Sequence, residues 1–246
     1  MTRTIIGVMV FLLGTIPATA QTKPEDVVKK AIEAHGGLSV LKKFNAGVSK
    51  IGGKMFVGQE SYTFTGLQMF SIPGRVRMEI TLETLGKKLT LVQIVNGDQV
   101  YQIENGVTGK IDEPFKAELR ESAVSQELSL LYPLLDTTKY TLVAEKDVPV
   151  GGQNAAVIVV QSKGLKDTRL FFDRATGRLV AMQRRSLNPS QKAVDEVTIF
   201  SDYKAIDGLV VPMKSKVSHD GKPYMEIIVD SYKPLEKIDE KPFLIK

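Results

Sequence analysis

The sequence predicts an α+β fold: antiparallel β-sheet in two blocks, with helices at the start and between the blocks. Three observations carry this. From Leu170 to Phe243, runs rich in Val, Ile, Phe and Tyr alternate with tight polar turns and meet no helical stretch, the pattern of a β-meander. From Ala46 to Glu104, apolar residues recur with period two. Between the blocks, Phe115, Leu119, Ala123, Val124, Leu128, Leu131 and Leu135 recur at helical spacing.

The first twenty residues read as an export leader. Arg3 supplies the positive start and Ala18-Thr19-Ala20 an A-x-A cleavage site, which places processing between Ala20 and Gln21. The apolar run from Ile5 to Ile16 is roughly 12 residues long, against about 20 for a spanning helix. The chain has no Cys, so it cannot be lipidated at a leader cysteine and cannot use disulfides. Formal charge is +5, of which the leader holds only Arg3, and acids are interspersed with bases. That pattern does not suggest a nucleic-acid partner, which usually demands a clustered basic stripe. Weak peripheral contact with an anionic membrane surface stays compatible with it. Residues 21–246 are expected to form one domain.

Thr22 is a candidate helix cap, with Glu25 at the capping-box position and Pro24 in the first turn. Val27, Val28, Ala31, Ile32 and Ala34 form its apolar stripe, and Gly36-Gly37 ends it. His35, just before that break, reads as a C-terminal cap rather than a ligand. A short turn from Leu38 to Phe44 should pack Leu41 and Phe44 inward. Strands are expected over 48–56, 61–70, 75–82, 88–95 and 99–104, with turns at Ser71–Gly74, Asn96-Gly97 and Asn105-Gly106. Gly66, in mid-strand, signals a bend or a close backbone approach.

Asp112 or Glu113 should cap the inserted helix, which Pro133 ends near Leu131 or Tyr132. Its opposite face carries Glu118 and Glu121, read as solvated charges. Strands resume over 140–146, 155–162, 168–173, 178–185, 194–203, 209–218 and 224–232. The corner His219-Asp220-Gly221 is turn chemistry rather than a catalytic dyad, since no nucleophile accompanies it. Phe243 is placed to plug the sheet edge.

No G-x-S-x-G, H-E-x-x-H, P-loop or G-x-G-x-x-G pattern occurs. Two His and no Cys argue against a zinc site. We therefore assign no catalytic residue, no metal and no cofactor. Several strands are apolar on both faces: Leu89, Leu91 and Val95 against Val92 and Ile94, or Val197 and Ile199 against Phe200. One face should then pack on helices or another layer, and the other should be concave and partly apolar. A filled core and a ligand cavity both account for these residues.

The order of elements resembles the LolA/LolB-like superfamily of bacterial lipoprotein-sorting proteins. The residues that carry the resemblance are Pro73-Gly74-Arg75-Val76-Arg77 entering a strand, Phe172-Asp173 through Thr176-Gly177, Asp207-Gly208 followed by Pro212, and the closing Ile238-Asp239 to Phe243. The resemblance implies a strongly curved, unclosed antiparallel β-barrel, a half-barrel, with covering α-helices. It implies a non-catalytic periplasmic carrier for lipid or acylated protein, active in outer-membrane biogenesis. The cavity candidates are Tyr62, Phe64, Met78, Ile80, Leu91, Leu128, Leu131 and Phe171. Arg75 and Arg77 are the candidates for a polar gate. The alternative is an interaction module with a filled core that works with envelope protein partners.

Overall fold

The computed structural model describes residues 23–84 and 86–245. The leader and Thr22 lie outside the described residues. Helix α1 (Pro24–Ala34) has Lys23 at its N-cap with no side-chain cap bond; Glu25 and Asp26 favour its first turn through the helix dipole. Val27, Val28, Ala31 and Ile32 are buried, and the Gly37 N–H donates to the Ile32 carbonyl at 2.9 Å as the helix ends. Helix α2 (Leu38–Lys43) follows, with Leu41 buried.

Two blocks of strands follow. The first holds β1 (Ala46–Val57), β2 (Glu60–Ser71), β3 (Arg75–Thr84), β4 (Lys87–Asn96), β5 (Gln99–Glu104) and the short β6 (Val107–Thr108). The second holds β7 (Thr141–Val150), β8 (Gln153–Gln161), β9 (Thr168–Asp173), β10 (Leu179–Leu187), β11 (Ala193–Ile206), β12 (Leu209–His219) and β13 (Lys222–Leu235). Helix α3 (Glu113–Leu128) lies between the blocks. It is capped by Asp112, whose side chain accepts the Phe115 N–H at 3.1 Å. It ends at Leu128, earlier than the sequence predicts, because Leu131 turns to φ +65 and leads into a 3-10 turn over Tyr132–Leu135.

All these strands enter one antiparallel sheet in the order β6-β5-β4-β3-β2-β1-β13-β12-β11-β10-β9-β8-β7. Every pair but one is a sequential neighbour. The exception is central: β1 pairs with β13, from Ala46 opposite Leu235 to Met55 opposite Met225. No hydrogen bonds close the sheet between β6 and β7, so it is an unclosed half-barrel. Tight backbone approaches mark its middle. A Cβ on Gly66 would lie 2.4 Å from the Glu79 carbonyl oxygen, and one on Gly53 (φ +154) would lie 1.8 Å from that of Glu226. Only glycine permits such approaches. The register of β1 against β13 also slips between Lys50 and Ile51, and such a bulge bends a sheet.

Helix α3 connects one edge strand to the other and touches β4, β5 and β10. It thus spans the inner face of the half-barrel. Val95 and Val100 pack against its Leu119 and Ala123. Helices α1 and α2 cover the inner face of the second block: Val28, Ile32 and Leu41 pack with Ile158, Leu170, Phe172 and Leu179. Full burial of each such side chain contributes about 1.5–3 kcal/mol. The helices therefore lie on the concave side, as covering helices of a half-barrel do, and not on the opposite face that the two-sided apolarity of the strands alone left open. The outer face of the first block is covered instead by the C-terminal segment. Phe243, fully buried, packs on Val92 and Ile94, and so plugs a face rather than an edge. Two-sided strands such as β4 thereby find a cover on each side.

Candidate functional site

Between the inner face and α3 lies a cavity of about 410 Å³. Its walls come from strands whose inward residues follow the sheet's period. β1 supplies Ser49 and Ile51, β2 supplies Gln68 and Phe70, β3 supplies Met78, and β13 supplies Ile227, Val229 and Tyr232. On the other side β10 gives Met182 and Arg184, β11 gives Glu196, Thr198 and Phe200, and β12 gives Val211, Ser215 and Val217. Helix α3 roofs it with Ser122, Ser125 and Gln126, followed by Ser129 and Leu130. The walls are thus mainly apolar and the roof is polar but uncharged.

At one end, the pattern of β10 points Arg184 inward with Met182 and Ser186. Arg184 is directly cross-strand from Glu196. Its Nε donates to Glu196 at 2.9 Å, Nη1 to Glu118 at 2.6 Å, and Nη2 to Ser122 at 2.9 Å and Ser186 at 3.2 Å. Arg184 is 8% exposed and Glu118 3%. Burial works against the Arg184 charge, but Glu196 and Glu118 outweigh it and raise its pKa. Burial likewise pushes the Glu196 carboxyl up, but the His219 hydrogen bond and Arg184 together hold it below its ordinary value. Lys166 reaches Glu118 at 3.4 Å and Glu121 at 3.0 Å. Glu118 is therefore not the solvated charge the helical pattern implied; it ties α3 to β10. His219 stacks on Tyr224, ring centroids 3.9 Å apart, and approaches Glu196 at 3.3 Å, while Asp220 accepts the Asp195 N–H in the turn.

At the other end, His35 closes the floor. Its Nδ1 donates to the Val210 carbonyl at 2.8 Å and its Nε2 accepts the Leu179 N–H at 3.1 Å. Burial, with a smaller push from Arg178, lowers its pKa to about 4 against the partly offsetting Val210 bond, so the ring is neutral. The Tyr203 hydroxyl donates to the Leu179 carbonyl and its ring meets His35 edge-on. His35 is thus a bolt between α1 and two strands.

The residues predicted from sequence fall in three places. Tyr62, Phe64, Met78 and Ile80 gather in one inner-face cluster around Ile51, and Met78 lines the cavity itself. Leu91 stands opposite Ile80 across β3 and β4. Leu128 and Leu131 are buried where the end of α3 meets the main core. Phe171 is half-buried and lies on the other face of β9 from Leu170 and Phe172, which enter that core. Arg75 and Arg77 stand on the outer face. Arg75 pairs with Glu240 at 2.5 Å, and Arg77 donates to the Pro242 carbonyl at 3.2 Å and to Glu79 at 3.0 Å, which fastens the C-terminal segment. The sequence reading missed Arg184 and Glu196. The signal was available: Met182 is core, so period two turns Arg184 inward, and the β10–β11 hairpin sets Glu196 beside it. Among the described residues, no cluster of three His, Cys, Asp or Glu is arranged to hold a metal, and no helix is long and apolar enough to cross a membrane.

This architecture recurs in solved structures. A DUF1329 family protein from Desulfovibrio piger superposes with a TM-score of 0.58 at 11% identity, over 91% of this chain and 98% of its own. An outer membrane lipoprotein-sorting protein domain from Vibrio parahaemolyticus gives 0.59 at 12%, over 90% and 97%. A LolA superfamily protein from Nitrosomonas europaea gives 0.55 at 9%, over 91% and 98%. The chain therefore shares its fold with these three structures. No family model matches the sequence, and no curated protein matches it.

Proposed function

We propose that this protein is a non-catalytic carrier that shelters the acyl chain of a lipid or lipidated protein between α3 and the inner face of the half-barrel. One observation carries the reading: a cavity of about 410 Å³ with mainly apolar walls stands where a filled-core module would have side chains. Ligand pockets usually measure about 300–1,000 Å³. Each buried methylene contributes about 0.8 kcal/mol, so ten of them offer about 8 kcal/mol before the costs of ordering, enough for reversible capture. The likeness to a lipoprotein-sorting domain supports the same reading. The leader-like first twenty residues support export, cleavage after Ala20 and work in the periplasm, where an acyl chain needs shelter from water. Envelope proteins that donate or accept the lipid would be its partners.

The test is lipid extraction and mass spectrometry of protein purified without detergent. A co-purifying acyl lipid near one per chain is expected. A lipid-free protein that also fails to take up an apolar fluorophore refutes the carrier reading.

A further inference from the structure

The cavity's polar groups narrow the ligand further, on the footing that the carrier reading holds. We propose that it selects acyl lipids whose buried polar group is uncharged (a hydroxyl, ester or amide) and discriminates against a phosphate.

Among the described lining residues, Arg184, Glu196 and Lys214 carry formal charge. Arg184 is already committed. It makes four hydrogen bonds, two of them to separate carboxylates, and is 8% exposed. A phosphate drawn to it would lie beside the Glu118 and Glu196 carboxylates, two anions that already balance the single guanidinium. A third anion crowded against them at this mostly buried end of the cavity is repelled. Lys214 is half-exposed and held by Asp202 at 3.1 Å. His35, neutral and bonded through both ring nitrogens, offers no cation. The cavity thus presents no unclaimed positive charge to an anion.

Its neutral groups are available. The Thr198 and Ser215 hydroxyls line it with no protein partner among the described residues. Ser125 and Ser129 donate to helix carbonyls at 3.1 and 2.7 Å, which leaves their lone pairs able to accept. Gln68 and Gln126 bond to each other at 2.9 Å and keep further amide valences. Hydroxyls and amides suit a glycerol hydroxyl, an ester carbonyl or an amide.

The experiment is competition for a bound apolar fluorophore by dioctanoylglycerol and dioctanoylphosphatidic acid, which differ only in the phosphate. Dioctanoylglycerol should displace the probe at about tenfold lower concentration, the equivalent of about 1.4 kcal/mol. In Glu196→Gln, which removes one carboxylate from Arg184, the difference should shrink. Equal or better displacement by the phosphatidic acid would overturn the inference and leave the carrier reading standing. An unchanged ratio in Glu196→Gln would also overturn it. Displacement by neither lipid would instead refute the carrier reading on which it rests.

Discussion

Replacing Arg184 by alanine removes a cation that holds α3 against β10. The side chain bonds Glu118 at 2.6 Å, Glu196 at 2.9 Å and two serines. Removing one partner of a buried ion pair costs about 3–5 kcal/mol, because the remaining charge stays buried. Here the carboxylates keep secondary partners: Lys166 is 3.4 Å from Glu118, and His219 is 3.3 Å from Glu196. The loss therefore falls near the lower end, about 3 kcal/mol. Urea unfolding should show it as a lower midpoint at unchanged m-value. Arg184→Met combined with Glu118→Gln and Glu196→Gln should recover about half, since no charge is then stranded. Amide exchange should speed up in α3 before it does in β8, because α3 loses its anchor while the β8 ladder stays intact. A loss below about 1 kcal/mol, the scale of an exposed ion pair, would refute this assignment.

Three other outcomes follow from the geometry. His35 has a folded-state pKa lowered from 6.5 to about 4 by burial, so the unfolded chain takes up its proton first as pH falls. Its contribution is intact above about pH 6.5 and is lost progressively towards pH 4, about 3 kcal/mol in all. Thermal unfolding should show that slope, and His35→Gln should flatten it even if it lowers overall stability. Ser215→Phe projects a ring into the cavity from β12 and should weaken acyl-probe binding about tenfold with under about 1 kcal/mol change in stability, because it fills space rather than crowding a packed core. Phe243→Ala should cost about 3–5 kcal/mol by emptying the outer-face cluster, yet leave probe affinity unchanged in the folded protein, because that face is separate from the cavity.

Local structure was legible because turn chemistry is local. Asn105, Asp207 and Asp220 each adopt positive φ before a glycine, at the hairpins their dipeptides announce. Phe64, Met78 and Ile80, named as cavity candidates on the resemblance, lie together in one inner-face cluster. Long-range pairing was not legible: β1 meets β13 across the whole chain, and no turn connects them to fix a register. Arg184 escaped although period two along β10 was there to read. Beside Arg185 it resembles a solvent-facing strand arginine, and its burial is set by Glu118 on a distant helix. Arg75 and Arg77 draw attention by motif, but their surroundings are decided by where Glu240 and Pro242 return to the sheet.

The central claim is that an acyl chain lies between α3 and the inner face. A monoacylglycerol carrying a photoreactive group at the terminal carbon of its acyl chain tests this directly, with peptide mass spectrometry to locate the crosslink. Labelling of Met182, Phe200 and Val229 is expected, competed away by unlabelled monoacylglycerol. Labelling confined to exposed apolar residues such as Val143, Ile199 and Ile228 would contradict it.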